Sequence, residues 1–582
     1  MKPRKLSPAF AIHSKWTLLT FIGVLTLSAF LIDSRSSAQG QIQVTAANPA
    51  SGAQGTLNLN VKVTGKGFKN GAKAKWLVSG SSDTGGVTVN STTFVSSTEV
   101  TANITVAETA TIANFDIQVT NSDGRGGKGT ELFAVTPKGG GNALCPPMQP
   151  APASDSRCYG NFPGCLDSTF GGTGFVIKEM GQPNQVSWVR SLAIQPDGKI
   201  VAAVQVPDVN GLSDFGVFRF NDDGALDTSF GDPDPANAPL RLGYVVTAVT
   251  PDPDIPNSIA IQADGKIVVS GGLDDVVRYN TNGTLDTAFG IGGIAHLTGV
   301  SLSDMAIQSD GKIVLAGLSG DRWSIVRLNT NGSLDVAFGS AGYAEANPSG
   351  TKRGSSGVRG LAIQRIPAVT GEERIVVVGS SRPTSNGPFE WTLMRFRSTG
   401  AADTTFGTSG IVKTPFAGFG SGAGRVRIDS SNRIVVAGTA TPYNPSCGGY
   451  VGDFAVARYN ENGTLDGSFG GGTQFIDIYG GGDGNAWGLN IQPDGKILIS
   501  GDATSSDNTV GHFALVRLNP DGSRDTAFGI LGNGVTTLSP YGYRSRAWGG
   551  VVLQPDGKIV LGGSTLLAPG AEGDMIVARY WP

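Results

Sequence analysis

The feature that most constrains this chain is a repeat whose two ends are each incomplete. From Cys165 onward a unit recurs that holds an apolar run ending in a tight turn, a second apolar run, a third run carrying Arg, and a Leu-Asp-x-x-Phe-Gly segment. In the second unit these are residues 259–269, Val276-Val277-Arg278-Tyr279-Asn280 and Leu285-Asp286-Thr287-Ala288-Phe289-Gly290. The Arg returns as Arg219, Arg278, Arg327, Arg395, Arg458, Arg517 and Arg579, six intervals over 360 residues with a mean period of 60. Four strands, a to d, with generous loops fill such a period; in the first unit the pattern predicts a at 192–195, b at 199–204, c at 215–220 and d at 243–246. A lone d-type stretch, Gly174-Phe175-Val176-Ile177, precedes the first a strand, and the seventh unit runs out at Tyr580-Trp581-Pro582, just after its c strand. A spare d strand at one end and a missing one at the other suit a ring of blades; a linear solenoid does not require them.

The Asp of the last segment gives a second count. Asp227, Asp286, Asp335, Asp403, Asp466 and Asp525 each lie eight residues after a c-strand Arg, while Arg579 has no Asp after it and Asp167 no Arg before it. Seven Arg–Asp pairs are expected to pin the c–d connections, with Arg579–Asp167 joining the two ends. A charged pair written into every unit reads as scaffold. Pro-Asp-Gly (196–198, 493–495, 555–557) or a near variant supplies the a–b turn, because Pro presets φ and Gly accepts positive φ. Unit four replaces it with an insertion at 365–373, and unit five with Asp429-Ser430-Ser431-Asn432.

Through Ala-Ile-Gln-x-Asp-Gly-Lys-Ile-Val, the Arg-Tyr/Leu-Asn strand and Leu-Asp-x-x-Phe-Gly, these units resemble the delta-60 repeat family, a β-propeller repeat of bacterial exported proteins. The resemblance covers about 415 residues. It implies a fold and no defined activity.

Residues 39–137 alternate apolar and polar side chains, as in Leu57-Asn58-Leu59-Asn60-Val61-Lys62-Val63 and Phe115-Asp116-Ile117-Gln118-Val119, which predicts half-buried strands in a β-sandwich. Asn48-Pro49-Ala50-Ser51-Gly52, Val63-Thr64-Gly65-Lys66-Gly67-Phe68 and Val119-Thr120-Asn121-Ser122-Asp123-Gly124 resemble the IPT/TIG-type immunoglobulin-like domains of bacterial surface proteins. That resemblance implies a spacer or adhesion module. Residues 138–164, rich in Pro, Gly, Ser and Ala, read as a linker before the propeller at 165–582. The expected class is therefore all-β, an immunoglobulin-like sandwich followed by a seven-bladed propeller closed by an N-terminal outer strand.

Residues 1–38 read as a secretory signal peptide: Lys2, Arg4, Lys5 and Lys15 precede an apolar run at 16–32, and Ser36-Ser37-Ala38 offers a cleavage site. No Cys follows the run, so a lipoprotein anchor is not expected, and no second apolar span is present. The protein is thus expected outside the cytoplasm, at the cell surface, in the periplasm or released. Removing these residues takes away five positive charges and one negative, moving the formal charge from −3 to −7. An acidic chain with no basic block is a poor nucleic-acid binder. Four Cys in an exported chain (Cys145, Cys158, Cys165 and Cys447) suggest two disulfides. Cys165 and Cys447 fall on opposite propeller faces, so Cys447 pairs with Cys145 or Cys158, or stays free.

On such a ring the a–b and c–d turns share one face, and the variable loops (383–389, 439–452, 479–486 and 541–548) share the other. Trp188, Arg190, Arg359, Arg425, Trp487, Arg546 and Trp548 stand at or just before a strands, so they should ring the channel mouth. Aromatic and Arg residues there suit a glycan, an acidic polymer or a protein ligand. Asn-x-Asn/Asp-Gly-x-x-Asp (Asn280, Asn282, Asp286; Asn460, Asn462, Asp466; Asn519, Asp521, Asp525) has the look of a calcium loop without its closing Glu, and Asx turns account for it. His296 and His512 fall in different units with no nucleophile elbow nearby. No cofactor or metal is expected. Three functions follow: a non-catalytic binding or scaffold protein using one propeller face; a carbohydrate-active hydrolase or lyase using channel carboxylates such as Glu390, Asp483 or Asp507; and a structural envelope component.

Overall fold

The computed structural model describes residues 42–136 and 162–582, apart from 54, 108, 112, 181–185, 209, 272–273, 349–356, 367–370, 383–387, 417–420, 442, 445–448, 451, 479–482, 505–510, 530 and 569–572. The signal segment, most of the linker, and Cys145, Cys158, Cys447 and Asp507 lie outside them. Every regular element among the described residues is a strand, and no described helix is long and apolar enough to cross a membrane. The chain divides into two units, Met1–Gly141 and Asn142–Pro582.

In the first unit, alternation builds two four-stranded sheets over one core. One sheet runs Gln43–Asn48, Leu59–Lys66, Glu99–Val106, Val87–Ser96, and the other Ser51–Ala53, Gly126–Thr136, Asn114–Thr120, Lys73–Val78. Val61, Val63, Val100 and Ile104 of the first meet Trp76, Ile117, Val119 and Phe133 of the second, with Trp76 edge-on to Phe133 at 5.8 Å. The polar residues between them face outward. Asp116 breaks the alternation and is buried; Lys128 at 2.6 Å and the Glu131 amide at 2.9 Å satisfy it.

Among the described residues the second unit holds seven sheets of the predicted a–b–c–d order, and a two-stranded ribbon of Tyr443–Asn444 with Gly449–Tyr450. In the first, a is Trp188–Ile194, b Ile200–Pro207, c Ser213–Phe220 and d Tyr244–Thr247. The b and c strands are apolar on both faces and buried along most of their length, and Ile267–Gly271 and Asp275–Tyr279 are buried throughout. They are buried because each sheet packs between two others: seven hydrophobic clusters join sheet one to two, two to three and so on, the last joining seven back to one through Val189, Val204 and Phe218 against Val560, Met575 and Val577. The a strands touch their neighbours in the same cyclic order and enclose the axis. Sheet seven is completed from the other end of the unit, Phe175–Lys178 pairing antiparallel with Gly573–Tyr580 through Met575 and Lys178, Ile576 and Ile177, Val577 and Val176, and Ala578 and Phe175.

Each c-strand Arg meets its Asp. The Nε to Oδ2 distance is 2.7 Å for Arg219–Asp227, Arg278–Asp286, Arg327–Asp335, Arg458–Asp466 and Arg517–Asp525, and 2.8 Å for Arg395–Asp403. Arg579 Nη2 lies 2.8 Å from Asp167 across the chain ends. The Phe of the same motif covers the guanidinium: Phe289 lies 4.5 Å below Arg278. The clamp has further members that the sequence reading passed over. The Lys after Pro-Asp-Gly or its variant reaches the same carboxylate (Lys199 at 2.6 Å, Lys312 at 3.0 Å, Lys558 at 3.3 Å), and Arg374 and Arg433 do so in sheets four and five. Arg Nη1 also donates to a carbonyl of the next sheet's c–d turn, as Arg219 does to Thr281 at 2.6 Å and Arg327 to Ser398 at 2.6 Å. The repeated motif therefore ties each sheet internally and to its neighbour.

Two turns refine the expectations. In sheet five Asp429-Ser430-Ser431-Asn432 keeps the Pro-Asp-Gly geometry, with Asn432 at φ 62° in place of Gly and its amide donating to the Asp429 carbonyl at 2.9 Å. In sheet four the a and b strands lengthen to Gly357–Arg365 and Glu373–Ser381, and the insertion lies between them.

Candidate functional site at the channel mouth

Six of the seven a strands carry one residue too many. Between Val189 (opposite Val204) and Ser191 (opposite Ala203), Arg190 has no partner on the b strand. The same shift leaves Asn257, Ser303, Arg359, Gly424 and Trp487 unpaired in sheets two to six. In sheet seven the a strand is split into Ser545–Arg546 and Val551–Leu553, both pairing with Ile559–Leu566, and Trp548 lies in the gap. A β-bulge frees its residue from the ladder and re-aims its side chain. Here it delivers them to one place: Arg190, Asn257, Arg359, Gly424, Arg425, Trp487 and Trp548 line a cavity of about 230 Å³ at the axis.

Of the seven residues expected at the mouth, Arg190, Arg359, Arg425, Trp487 and Trp548 line this cavity, while Trp188 and Arg546 stand against Trp548 outside its lining. The Trp548 ring centroid is 4.4 Å from that of Trp188 and 6.2 Å from that of Trp487, both edge-on. Arg190 lies 5.0 Å from the Trp188 ring and 5.1 Å from Trp548, Arg546 is 5.1 Å from Trp548, and Arg359 is 6.0 Å from Trp487. Arg190 is fixed by Nε and Nη2 donating to Gln205 Oε1 at 3.1 and 2.9 Å, and Gln205 in turn donates to Ser213 Oγ at 2.7 Å. Arg425 Nη1 donates to the Arg359 carbonyl at 2.8 Å.

The electrostatics follow from this enclosure. Lost hydration pulls the Arg190 pKa down to about 10. Arg359 is lowered by the same loss and then by the charge of Arg425, and Arg546 by burial and then by Arg544. A second cavity of about 90 Å³ lies along the axis, lined by Ser191, Ser258, Asp304, Arg425, Arg427 and Gly488 among others. Its carboxylate is held in place: Asp304 accepts from Ser258 Oγ at 2.9 Å and from the Leu361 amide at 2.9 Å. Asp502 accepts the Trp487 indole N–H, and its burial raises its pKa. Asn257, Arg427, Asp304 and Asp502 were not singled out in the sequence. They occupy ordinary strand positions, and only the bulge and the ring bring them together.

The remaining candidates are placed as follows. Asn282 Oδ1 accepts from the Thr284 amide and hydroxyl at 3.1 and 2.8 Å, and Asn462 and Asp521 make the same turns, so the calcium-like motif is occupied by its own Asx bonds. No group of three or more metal-binding side chains occurs among the described residues. His296 pairs through Nδ1 with Asp275 in sheet two, while His512 is on the c strand of sheet six. Asp483 accepts from the Gly452 amide at 3.1 Å, linking two variable loops, and Glu390 opens the c strand of sheet four. Cys165 is buried and is not free; its possible partners lie outside the described residues.

Seven segments (195–230, 262–289, 308–338, 374–406, 430–469, 492–528 and 554–582) match the family described as a domain of unknown function (DUF5122) beta-propeller. Together with the sheets, they show a β-propeller segment. No curated protein matches the chain. Among solved structures it is similar to a protein of unknown function from Dyadobacter fermentans, at 11% identity, covering 70% of this chain and 98% of that one with a TM-score of 0.37. It is also similar to a virginiamycin B lyase from Staphylococcus aureus (13%, 57% and 97%, TM-score 0.29) and a protein of unknown function from Bacteroides caccae (12%, 61% and 99%, TM-score 0.28). At these values the neighbours carry no argument about function.

Proposed function

We propose that this chain is an exported, non-catalytic binding or scaffold protein that recognises a ligand or partner through the mouth face of its propeller. The observation that supports this most directly is the lining of the mouth cavity, which among the described residues is Arg, Trp, Asn and Gly. A glycosidase works through a pair of carboxyl groups flanking its substrate, and these residues supply a cationic, aromatic surface instead. In this reading the second unit is a seven-bladed propeller of the delta-60 repeat type, and the first is an IPT/TIG-like immunoglobulin fold that serves as a spacer or adhesion module. Residues 1–38 direct export, and Cys165 forms one of two disulfides.

The test is a glycan and polymer array probed with residues 39–582, run beside an assay for released reducing ends. Binding without release, lost on Trp487→Ala, is the expected result. Release of sugar would overturn it in favour of the hydrolase or lyase, and silence in both assays would leave the structural role.

A further inference from the structure

We propose that the mouth is a subsite for a single anionic sugar residue, a pyranose bearing a carboxylate or sulfate, with its charged group on Arg190, Arg359 and Arg425 and its ring face against Trp487 and Trp548. The proposal rests on the reading of this mouth as the recognition site. Its ground is a contrast within the molecule. Each c-strand Arg has an Asp beside it, at 2.7 Å in the case of Arg278. Two of the mouth arginines meet neutral acceptors, Arg190 the Gln205 amide oxygen and Arg425 the Arg359 carbonyl, while Asp502 lies within electrostatic reach of Arg546 alone among them. Arg359 has the like charge of Arg425 for a neighbour.

The site is also over-supplied with donors. Trp548 Nε1 and Arg546 Nε are buried and find no acceptor among the described residues. Like charges and idle donors gathered in a partly dehydrated cavity are unfavourable by themselves, and an oxyanion offsets both terms. A guanidinium offers a carboxylate or sulfate two parallel N–H bonds, which an ammonium cannot. The indoles supply flat apolar surface on which the C–H face of a pyranose rests. The size narrows the class further. At about 230 Å³ the cavity falls below the ~300–1,000 Å³ typical of sites for drug-sized ligands, so it takes one ring, with the rest of any chain outside.

The experiment is calorimetric titration of residues 39–582 with four probes: oligogalacturonate, its methyl ester, a sulfated galacto-oligosaccharide and its unsulfated parent. At least one charged probe is expected to bind roughly tenfold or more tightly than its neutral counterpart, corresponding to about 1.4 kcal/mol, with affinity falling as salt rises. Which of the two charged probes binds identifies the anion. Arg359→Gln and Arg190→Gln should each weaken that binding roughly tenfold without moving the melting temperature, whereas Arg322→Gln, on the exposed start of another c strand, should change nothing. Equal affinity for charged and neutral partners overturns the anionic subsite and leaves recognition standing. So does failure of both charged probes when the array gives a different ligand. Failure of all four probes together with a silent array removes both readings.

Discussion

At the scale of single residues, the clamp makes the carboxylates sensitive to acid. Burial alone would raise Asp227, Asp286, Asp335, Asp403, Asp466, Asp525 and Asp167, but hydrogen bonds and the adjacent cations outweigh it and hold each below its ordinary value, Asp403 and Asp466 at about 2. A carboxylate with a lowered folded pKa stabilises above its unfolded value, and that stability is lost as pH falls through the folded one. Other aspartates have the opposite sign, Asp453 and Asp574 most strongly. Asp453 is raised to about 7 by burial and then by Asp477 and Asp483, and Asp574 to about 6 by burial and then by Glu179. Their contribution is present in acid and lost as pH rises through those values. The urea midpoint is therefore expected to rise from pH 8 to about 5, then fall between about 4 and 2, with Asp453→Asn flattening the upper limb. A midpoint that stays flat on both sides contradicts these assignments. Removing one partner of a clamp leaves a buried charge alone, so Asp286→Ala and Asp167→Ala should each cost about 3–5 kcal/mol in urea unfolding. An unchanged midpoint in both variants would sink the pairing as a source of stability.

At the scale of the element, the parts legible in the sequence are those written repeatedly. Arg278, Asp286 and Phe289 stand at fixed offsets in unit after unit, so their partnership could be counted before any strand was placed. The lysines recur after Pro-Asp-Gly or its variant in five of the seven units, and repetition alone does not say which carboxylate they reach. The bulges were hidden for a different reason. An extra residue near the start of a strand, as at Arg190 or Trp487, looks in one dimension like a strand that begins later, as in the expectation of 192–195 for the first a strand. The mouth residues were reached through their position before the a strands, while the device that turns them inward was not. Turns give a direct check of element geometry. Gly283 sits at φ 88°, and a Cβ there would lie 2.6 Å from the Gly231 amide of the preceding sheet. Gly283→Ala should therefore destabilise by more than the ~1–2 kcal/mol of the left-handed conformation alone. At Asn432, Asn432→Gly should be tolerated and Asn432→Ala should cost about 1–2 kcal/mol, both read by urea unfolding.

At the scale of the whole propeller unit, the ends matter most. Phe175–Lys178 and Gly573–Tyr580 are neighbours in one sheet, Asp167 is bonded to Arg579, and the Trp581 amide donates to the Cys165 carbonyl at 2.9 Å. The ring is thus closed by pairing that does not depend on where the chain begins. A circular permutant of residues 162–582, with the ends joined and a new opening at the exposed Gly320 turn, is expected to keep a β spectrum and one cooperative melt. Early, non-cooperative melting would show that the order of the sheets along the chain matters to the ring. The bulges carry a consequence of another kind. Because the extra residue of these a strands has no partner across the ladder, exchanging its side chain leaves the strand register untouched. The scaffold behaves like a lock barrel whose pins can be swapped one at a time: a lineage could re-key the mouth for a new ligand through single substitutions while the motif that holds the barrel together stays as it is.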